Sequence, residues 1–206
     1  MLNFADPYQA GGLFLQGART QEERLARCTG MYWCIRDQPY YERNIKSSSA
    51  KGGLGLHDAL YSPGVPVFRD LTAEEKLGKH YAQEIPLFRK PAPLADPTAV
   101  YPIAIITCPA PMVYHVKMKG KESELSSTME ERIRRILTIA ANAKHEAVVL
   151  GAFGCGAFGN DPTMVATHFK ALVQGEFRRY FKKVIFAIRG GVGDPNYAEF
   201  RNVFAL

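Results

Sequence analysis

Apolar positions along the chain fall into two periods, and the switches between them lay out the expected elements. Short runs rich in β-branched and aromatic residues at 2–5, 101–108, 147–153 and 183–188 predict strands. Ile133, Ile136, Leu137 and Ala140 recur at i, i+3, i+4 and i+7, so a helix with one apolar face is expected over 127–144. Val165, Phe169, Leu172 and Val173 mark another helix starting at Asp161, with Pro162 suited to its first turn. One continuous helix from Thr20 to about Ile35 and a short one over 196–204 complete the pattern. The order strand–helix–strand–helix–strand over 101–188 predicts βαβ crossovers, hence an α/β fold with a mixed, mostly parallel sheet. Between about 47 and 98 the chain turns to Gly, Pro and charge, as in Lys51-Gly52-Gly53-Leu54-Gly55 and Lys90-Pro91-Ala92-Pro93. A long excursion with a little β structure near 65–68 is expected there, within a single domain spanning 1–206.

Composition narrows the function classes. With 206 residues, 47% of them hydrophobic, the chain can bury a core without disulfides or a structural metal. No apolar run reaches the roughly 18 residues of a membrane span, and Met1 to Asp6 does not read as a secretory leader. Cys28, Cys34, Cys108 and Cys155 form neither a C-x-x-C pair nor a zinc spacing. Reduced thiols in a cytoplasmic setting, with no metal and no cofactor, are therefore expected. The five histidines are scattered, and Tyr32 and Trp33 are expected in the core. A net charge of +6 suits a small polyanion. Direct nucleic-acid binding is not indicated, because Arg132, Arg134 and Arg135, like Arg178, Arg179, Lys182 and Lys183, read as solvated helix faces.

The richest local signal is Gly151-Ala152-Phe153-Gly154-Cys155-Gly156-Ala157-Phe158-Gly159-Asn160-Asp161-Pro162, a strand end, a glycine turn and a helix start. Backbone amides exposed by glycine, followed by a helix N-terminus, form an anion-binding concavity. Gly154, Gly156 and Gly159 satisfy G-x-G-x-x-G, yet the next strand ends Ala187-Ile188-Arg189 without the acid a dinucleotide site needs. No Lys-Ser/Thr follows, which excludes a Walker loop. A glycine turn serving only close packing is the competing reading, but four glycines exceed what one turn needs. A diphosphate is the ligand this loop suits best.

A second constellation stands near the N-terminus: Asn3-Phe4-Ala5, then Gly11-Gly12-Leu13, then Gln21-Glu22-Glu23 opening a helix. Thr20-x-x-Glu23 also fits a capping box, in which Thr20 and Glu23 each satisfy an orphan amide. Both readings stay open on the residues alone.

The two constellations, together with Gly17-Ala18-Arg19-Thr20, Tyr61-Ser62-Pro63-Gly64-Val65-Pro66-Val67-Phe68-Arg69 and Ile105-Ile106-Thr107-Cys108-Pro109-Ala110-Pro111, resemble the microbial type of poly(ADP-ribose) glycohydrolase, a branch of the macrodomain superfamily. The resemblance covers most of the chain and rests on the order and spacing of individually modest motifs. It implies a three-layer α/β/α sandwich and a hydrolase that releases ADP-ribose from poly(ADP-ribose) or an ADP-ribosylated protein or nucleobase. It further implies Glu23 as the catalytic acid, with Glu22 beside it orienting the ligand ribose. Asn3, Gln9, Gly11, Gly12 and Gln21 would contribute to the ligand site. Gly154, Cys155, Gly156, Ala157, Phe158, Gly159 and Asn160 would wrap the diphosphate, with Phe158 against the distal ribose. Cleavage of a ribose acetal passes through an oxocarbenium-like state, so a protonated carboxyl must feed the leaving oxygen and then activate water. Burial and the neighbouring Glu22 are expected to keep Glu23 protonated.

Three positions depart from the family pattern. Leu13 stands where a third glycine is usual, Gln9 where an Asn holds the distal ribose, and Ala10 where a Pro is common. Leu13 disfavours positive φ and adds bulk, so a reshaped catalytic turn is expected. The chain also opens almost directly on a central strand, and no residue matches the acid with which the family reads adenine. A sheet edge is thereby expected to need cover, from a second copy, another chain or the 47–98 excursion. The alternative to hydrolysis is a macrodomain module that binds ADP-ribose or a related signal nucleotide without cleaving it. A nicotinamide-dependent oxidoreductase using the glycine loop is a remote third reading.

Overall fold

The computed structural model describes residues 1–69, 100–191 and 193–205. Strand β1 (Leu2–Phe4) runs parallel to β3 (Tyr101–Cys108), with Asn3 opposite Thr107, and β2 (Leu60–Val67) lies antiparallel on the other side of β3. Strands β4 (Ala147–Leu150) and β5 (Lys183–Phe186) pair in parallel, and β4 lies beside β1. The α-helices are α1 (Gln21–Cys28), α2 (Met31–Ile35), α3 (Tyr40–Ala50), α4 (Val113–Met118), α5 (Leu125–Asn142), α6 (Pro162–Gln174) and α7 (Pro195–Phe204).

Alternation along β3 separates two cores. Ile106 and Cys108 join Ile133, Ile136 and Leu137 of α5 and Phe169 of α6, whereas Ile105 faces Leu25, Met31, Ile35, Tyr40 and Val65. Helices α1–α3 therefore cover one face and α5–α7 the other, giving three α/β/α layers. Burial on both faces is why consecutive positions such as Ile105 and Ile106 are both apolar.

Several sequence expectations are corrected. The single helix over 20–35 is two helices. Thr29 adopts an extended conformation and bridges to Val67, and its hydroxyl donates to Leu25 O while accepting from the Met31 amide. A threonine hydroxyl that competes for backbone partners in this way ends a helix. Trp33 is 68% exposed, with the Arg36 guanidinium 4.1 Å from its ring centroid; only Tyr32 packs inward, against Phe14 at 4.7 Å. The excursion expected from 47 begins later, because Ser47 to Ala50 finish α3 and 60–67 are strand. Helix α3 was illegible because its buried face carries Asn44 and Ser48 beside Tyr40 and Tyr41, not an aliphatic stripe. Strand β2 hides behind Pro63, Gly64 and Pro66, and the ladder shifts register between Ser62 and Val65, where a bulge accommodates proline. The Lys90-Pro91-Ala92-Pro93 stretch and His80 lie outside the described residues.

Arg132 is not on a solvated face. It is 2% exposed, and its guanidinium donates to Pro109 O at 2.7 Å and to Leu54 O. Arg134 does lie at the surface, paired with Glu130, Glu131 and Glu176. The edge of β1 away from β3 is met from within the chain. The Gln21 carboxamide donates to Leu2 O and accepts from the Phe4 amide, both at 2.8 Å, as a neighbouring strand would. No helix among the described residues is long and apolar enough to cross a membrane.

Candidate functional site

The segment leaving β1 is shaped by Asp6, whose Oδ1 accepts the amides of Tyr8 at 2.7 Å and Gln9 at 3.0 Å, an Asx-type turn. Gly11 and Gly12 then take positive φ, 72° and 58°. A Cβ on Gly12 would lie 2.4 Å from Glu23 Oε1 and 3.1 Å from Glu22 Oε2, so only glycine lets the turn press onto both carboxylates. A 3-10 turn at Phe14–Gln16 leads on to α1.

Glu22 and Glu23 are both buried in the first turn of α1. Glu22 accepts from Asn3 Nδ2 at 3.1 Å and from the Asp6 amide at 2.6 Å. Burial drives its carboxyl up to about 8, against the pull of these two donors, with the charges of Asp6 and Glu23 adding to the rise. The carboxyl of the pair that desolvation keeps protonated is Glu22. Asp6 is also raised, first by burial.

Glu23 does not form the capping box. Thr20 makes no side-chain bond to the helix amides; instead its hydroxyl donates to Glu23 Oε2, and the Leu13 amide donates to Oε1 at 3.1 Å. Leu13 itself has φ −95° and ψ 33°, and its side chain is exposed. The two glycines before it take the left-handed geometry, and Leu13 contributes its backbone N–H.

Asn3 is fully buried beneath the pair, reaching Glu22 and, at 3.4 Å, Thr107 Oγ1. Gln21 is spent on β1 as described. Gln9 is exposed, and its carbonyl accepts the Gly12 amide at 3.3 Å.

The second loop leaves β4. Internal bonds use the amides of Phe153, Cys155, Gly159 and Asn160, while those of Gly156, Ala157 and Phe158 take no partner among the described residues. Gly154, at φ 73°, sits so close to the loop after β3 that a Cβ would meet Ala110 Cβ at 2.4 Å. Asn160 is buried and staples the turn, donating from Nδ2 to Pro111 O at 2.8 Å and Gly154 O at 3.0 Å. Phe158 is half-buried against the aliphatic core, and its carbonyl accepts the Val113 amide at 3.0 Å. Burial pushes the Cys155 thiol up to about 12, which makes it a poor nucleophile. Asp161 caps α6, accepting from the Thr163 amide at 3.1 Å.

Both loops leave the same end of the sheet. The Phe4 and Phe153 rings are 5.9 Å apart, and a Cβ on Gly151 would meet the Phe4 ring at 2.9 Å. This is the carboxyl end of parallel strands, where open α/β sheets bind ligands. Beneath the loops, Asn44 donates to Pro7 O at 2.6 Å and accepts from the Leu56 amide at 2.8 Å, and Arg132 holds Pro109 and Leu54. Sequence reading missed Asp6, Asn44 and Arg132 as supports. The Asp6-Pro7 dipeptide was the one available signal, as a turn former.

A family model described as microbial-type PARG, catalytic domain, matches residues 1–70. Among solved structures, poly(ADP-ribose) glycohydrolase from Deinococcus radiodurans in complex with ADP-ribose is 34% identical, over 99% of this chain and 73% of that one, with a TM-score of 0.76. The enzyme of the same name from Thermomonospora curvata is 35% identical, over 98% and 67%, with a TM-score of 0.80. Its form bound to the inhibitor ADP-HPD is 35% identical, over 98% and 68%, at 0.79. No curated protein sequence matches.

Proposed function

The chain belongs to the microbial-type poly(ADP-ribose) glycohydrolase family, and from that premise we propose that it hydrolyses the ribose acetal joining ADP-ribose to an acceptor, with Glu23 as the acid. The observation that carries this reading is the carboxylate pair seated against Gly12, with Glu23 held at both oxygens by the Leu13 amide and the Thr20 hydroxyl. A carboxyl so oriented is pre-positioned for proton transfer. The bond from the ribose anomeric carbon to the acceptor oxygen breaks, that oxygen takes a proton from Glu23, and water deprotonated by the same carboxylate adds to the carbon. Because Glu22 keeps its proton to about pH 8, the pair carries at most one negative charge at neutral pH. The unspent amides of Gly156, Ala157 and Phe158 suit the diphosphate.

Retention of ADP-ribose without cleavage was the competing reading, and it drew on a turn deformed by Leu13. The negative φ and outward side chain of that residue weigh against it. Calorimetric titration of ADP-ribose into wild type and Glu23→Gln, followed by assay of ADP-ribose release from poly(ADP-ribose), tests the proposal. Binding by both with release only by wild type is expected. Binding without release by wild type would reduce the protein to a capture module, and no binding would remove the ligand assignment.

A further inference from the structure

Helix α6 ends at Gln174, and the turn after it carries Arg178-Arg179-Tyr180-Phe181-Lys182-Lys183 into β5. Arg178 and Arg179 therefore stand on a turn and not, as the sequence suggested, on a helix face. The turn is fixed from inside. Phe177 is buried and stacks on Phe181 at 6.4 Å, and the Tyr180 amide donates to Phe177 O at 3.1 Å. With those two rings packed inward, all four cations are left exposed, and the Tyr180 ring among them is 58% exposed. The Lys182 and Lys183 amides both donate to Glu146 O, at 2.7 and 3.1 Å, which brings exposed Lys144, two residues earlier, to the same end of the sheet.

We propose that this surface binds single-stranded nucleic acid, its cations tracking the phosphates and Tyr180 stacking on a base. The inference is independent of the hydrolase reading. The carboxylates that adjoin the cluster are already engaged: Glu176 pairs with Arg134 at 3.0 Å and Glu146 with Lys182 at 2.6 Å. Lys144, Arg178, Arg179 and Lys183 have no ion pair among the described residues, so each meets a phosphate without first giving up a carboxylate. The Lys182–Glu146 pair is exposed on both sides and exchanges at little cost.

Tyr180 decides between single and double strands. A duplex keeps its base faces stacked on one another and offers this surface only phosphates, whereas a single strand presents base faces to an exposed ring. Position decides against the polymer that the family cleaves. Strands β4 and β5 begin at this cluster, and the glycine loop of the ligand site leaves the opposite end of β4. Four strand residues alone set the two ends about 13 Å apart. A strand held here leaves the acid pair and the glycine loop open.

The test follows fluorescence anisotropy of a labelled 20-nucleotide poly-dT on the full chain between 20 and 200 mM salt. Four to five phosphate contacts predict a slope of log affinity against log salt of roughly −3, at about 0.7 per contact for a single strand. Arg178→Gln/Arg179→Gln is expected to make the slope shallower by about 1.4 and to weaken binding at least about tenfold at low salt. Arg178→Lys/Arg179→Lys is expected to stay within about threefold of wild type. Tyr180→Ala is expected to weaken binding about fivefold or more with the slope unchanged, because stacking releases no counterion. Calorimetric binding of ADP-ribose is expected to stay within twofold in every variant, which also shows that each is folded. No binding by wild type at low salt, or binding that the arginine pair does not affect, overturns the surface. An inert Tyr180→Ala, or equal affinity for a duplex of the same length, overturns the single-strand assignment. Displacement of the oligonucleotide by an equal or lower concentration of poly(ADP-ribose), with the loss shared by Arg178→Gln/Arg179→Gln, assigns the surface to that polymer and overturns the proposal.

Discussion

The backbone of Leu13 and the side chain of Glu23 are joined by an N–H to Oε1 hydrogen bond of 3.1 Å, and the Thr20 hydroxyl holds the other oxygen. One donor is a main-chain group that any residue except proline supplies at this position; the other depends on side-chain identity. A hydrogen bond to a charged group is worth about 1.5 kcal/mol or more, roughly tenfold in rate if it is needed in the transition state. Thr20→Val is therefore expected to lower kcat about tenfold, with Thr20→Ser within threefold of wild type. Leu13→Gly should leave kcat within threefold, since it keeps the N–H. A large loss in Leu13→Gly with no effect of Thr20→Val would reverse the assignment.

Glu22 makes stability depend on pH. Its carboxyl rises from the ordinary value of 4.5 to about 8 in the folded protein, so the native state holds a proton that the unfolded chain has released throughout that window. Native binding of the extra proton means that stability falls as pH rises from 4.5 to 8 and is flat above, with a slope from this group approaching about 1.4 kcal/mol per unit. Glu22→Gln cannot ionise. Its stability relative to wild type is expected to improve steadily between pH 5.5 and 8, measured by urea unfolding. A difference constant with pH would show that Glu22 is not the protonated group.

Two glycines of the second loop separate folding from binding. Gly154 has φ 73° and no room for a methyl beside Ala110, so Gly154→Ala should destabilise by about 1–3 kcal/mol. Gly156 has open space around its Cβ position and no positive φ. Gly156→Ala is expected to change stability by less than about 0.5 kcal/mol while weakening ADP-ribose about tenfold, because the methyl crowds the unspent amides. Calorimetry and thermal unfolding on both variants check this. Unchanged affinity in Gly156→Ala would move the diphosphate off these amides.

What the chain disclosed in advance follows from which interactions are local. The strands at 101–108 and 147–150, helix α5 and helix α6 bury aliphatic faces, and aliphatic periodicity is visible in one dimension. Helix α3 and strand β2 bury Asn44, Ser48 and Ser62, or are interrupted by proline, so their pattern surfaces only once their partners are known. The glycine turns and the acid pair were legible because glycine and adjacent carboxylates are locally unusual. Arg132 was not, since its burial depends on carbonyls 23 and 78 residues away in sequence. The Thr20–Glu23 spacing supported two geometries equally well, and only the Leu13 amide, delivered by the turn, decides for the second.

Gln21 shows the same dependence on a distant partner, and it is testable. Its carboxamide completes the outer edge of β1 by donating to Leu2 O and accepting from the Phe4 amide. Without it, two backbone groups of a largely buried strand lose their partners, at about 1–3 kcal/mol for each group left unsatisfied. Gln21→Leu keeps the helix and the bulk but supplies neither bond, and Gln21→Glu accepts but cannot donate. Unfolding free energy is expected to fall in the order wild type, Gln21→Glu, Gln21→Leu, with hydrogen exchange at the Phe4 amide accelerated chiefly in Gln21→Leu. The adjacent Glu22 and Glu23 are anchored to β1 and the glycine turn by their own bonds, but they share the first turn of α1 with Gln21. Loosening that turn should lower kcat together with stability. A Gln21→Leu protein as stable and protected as wild type would mean that β4 or a second chain satisfies the edge, and the side chain would lose its structural role.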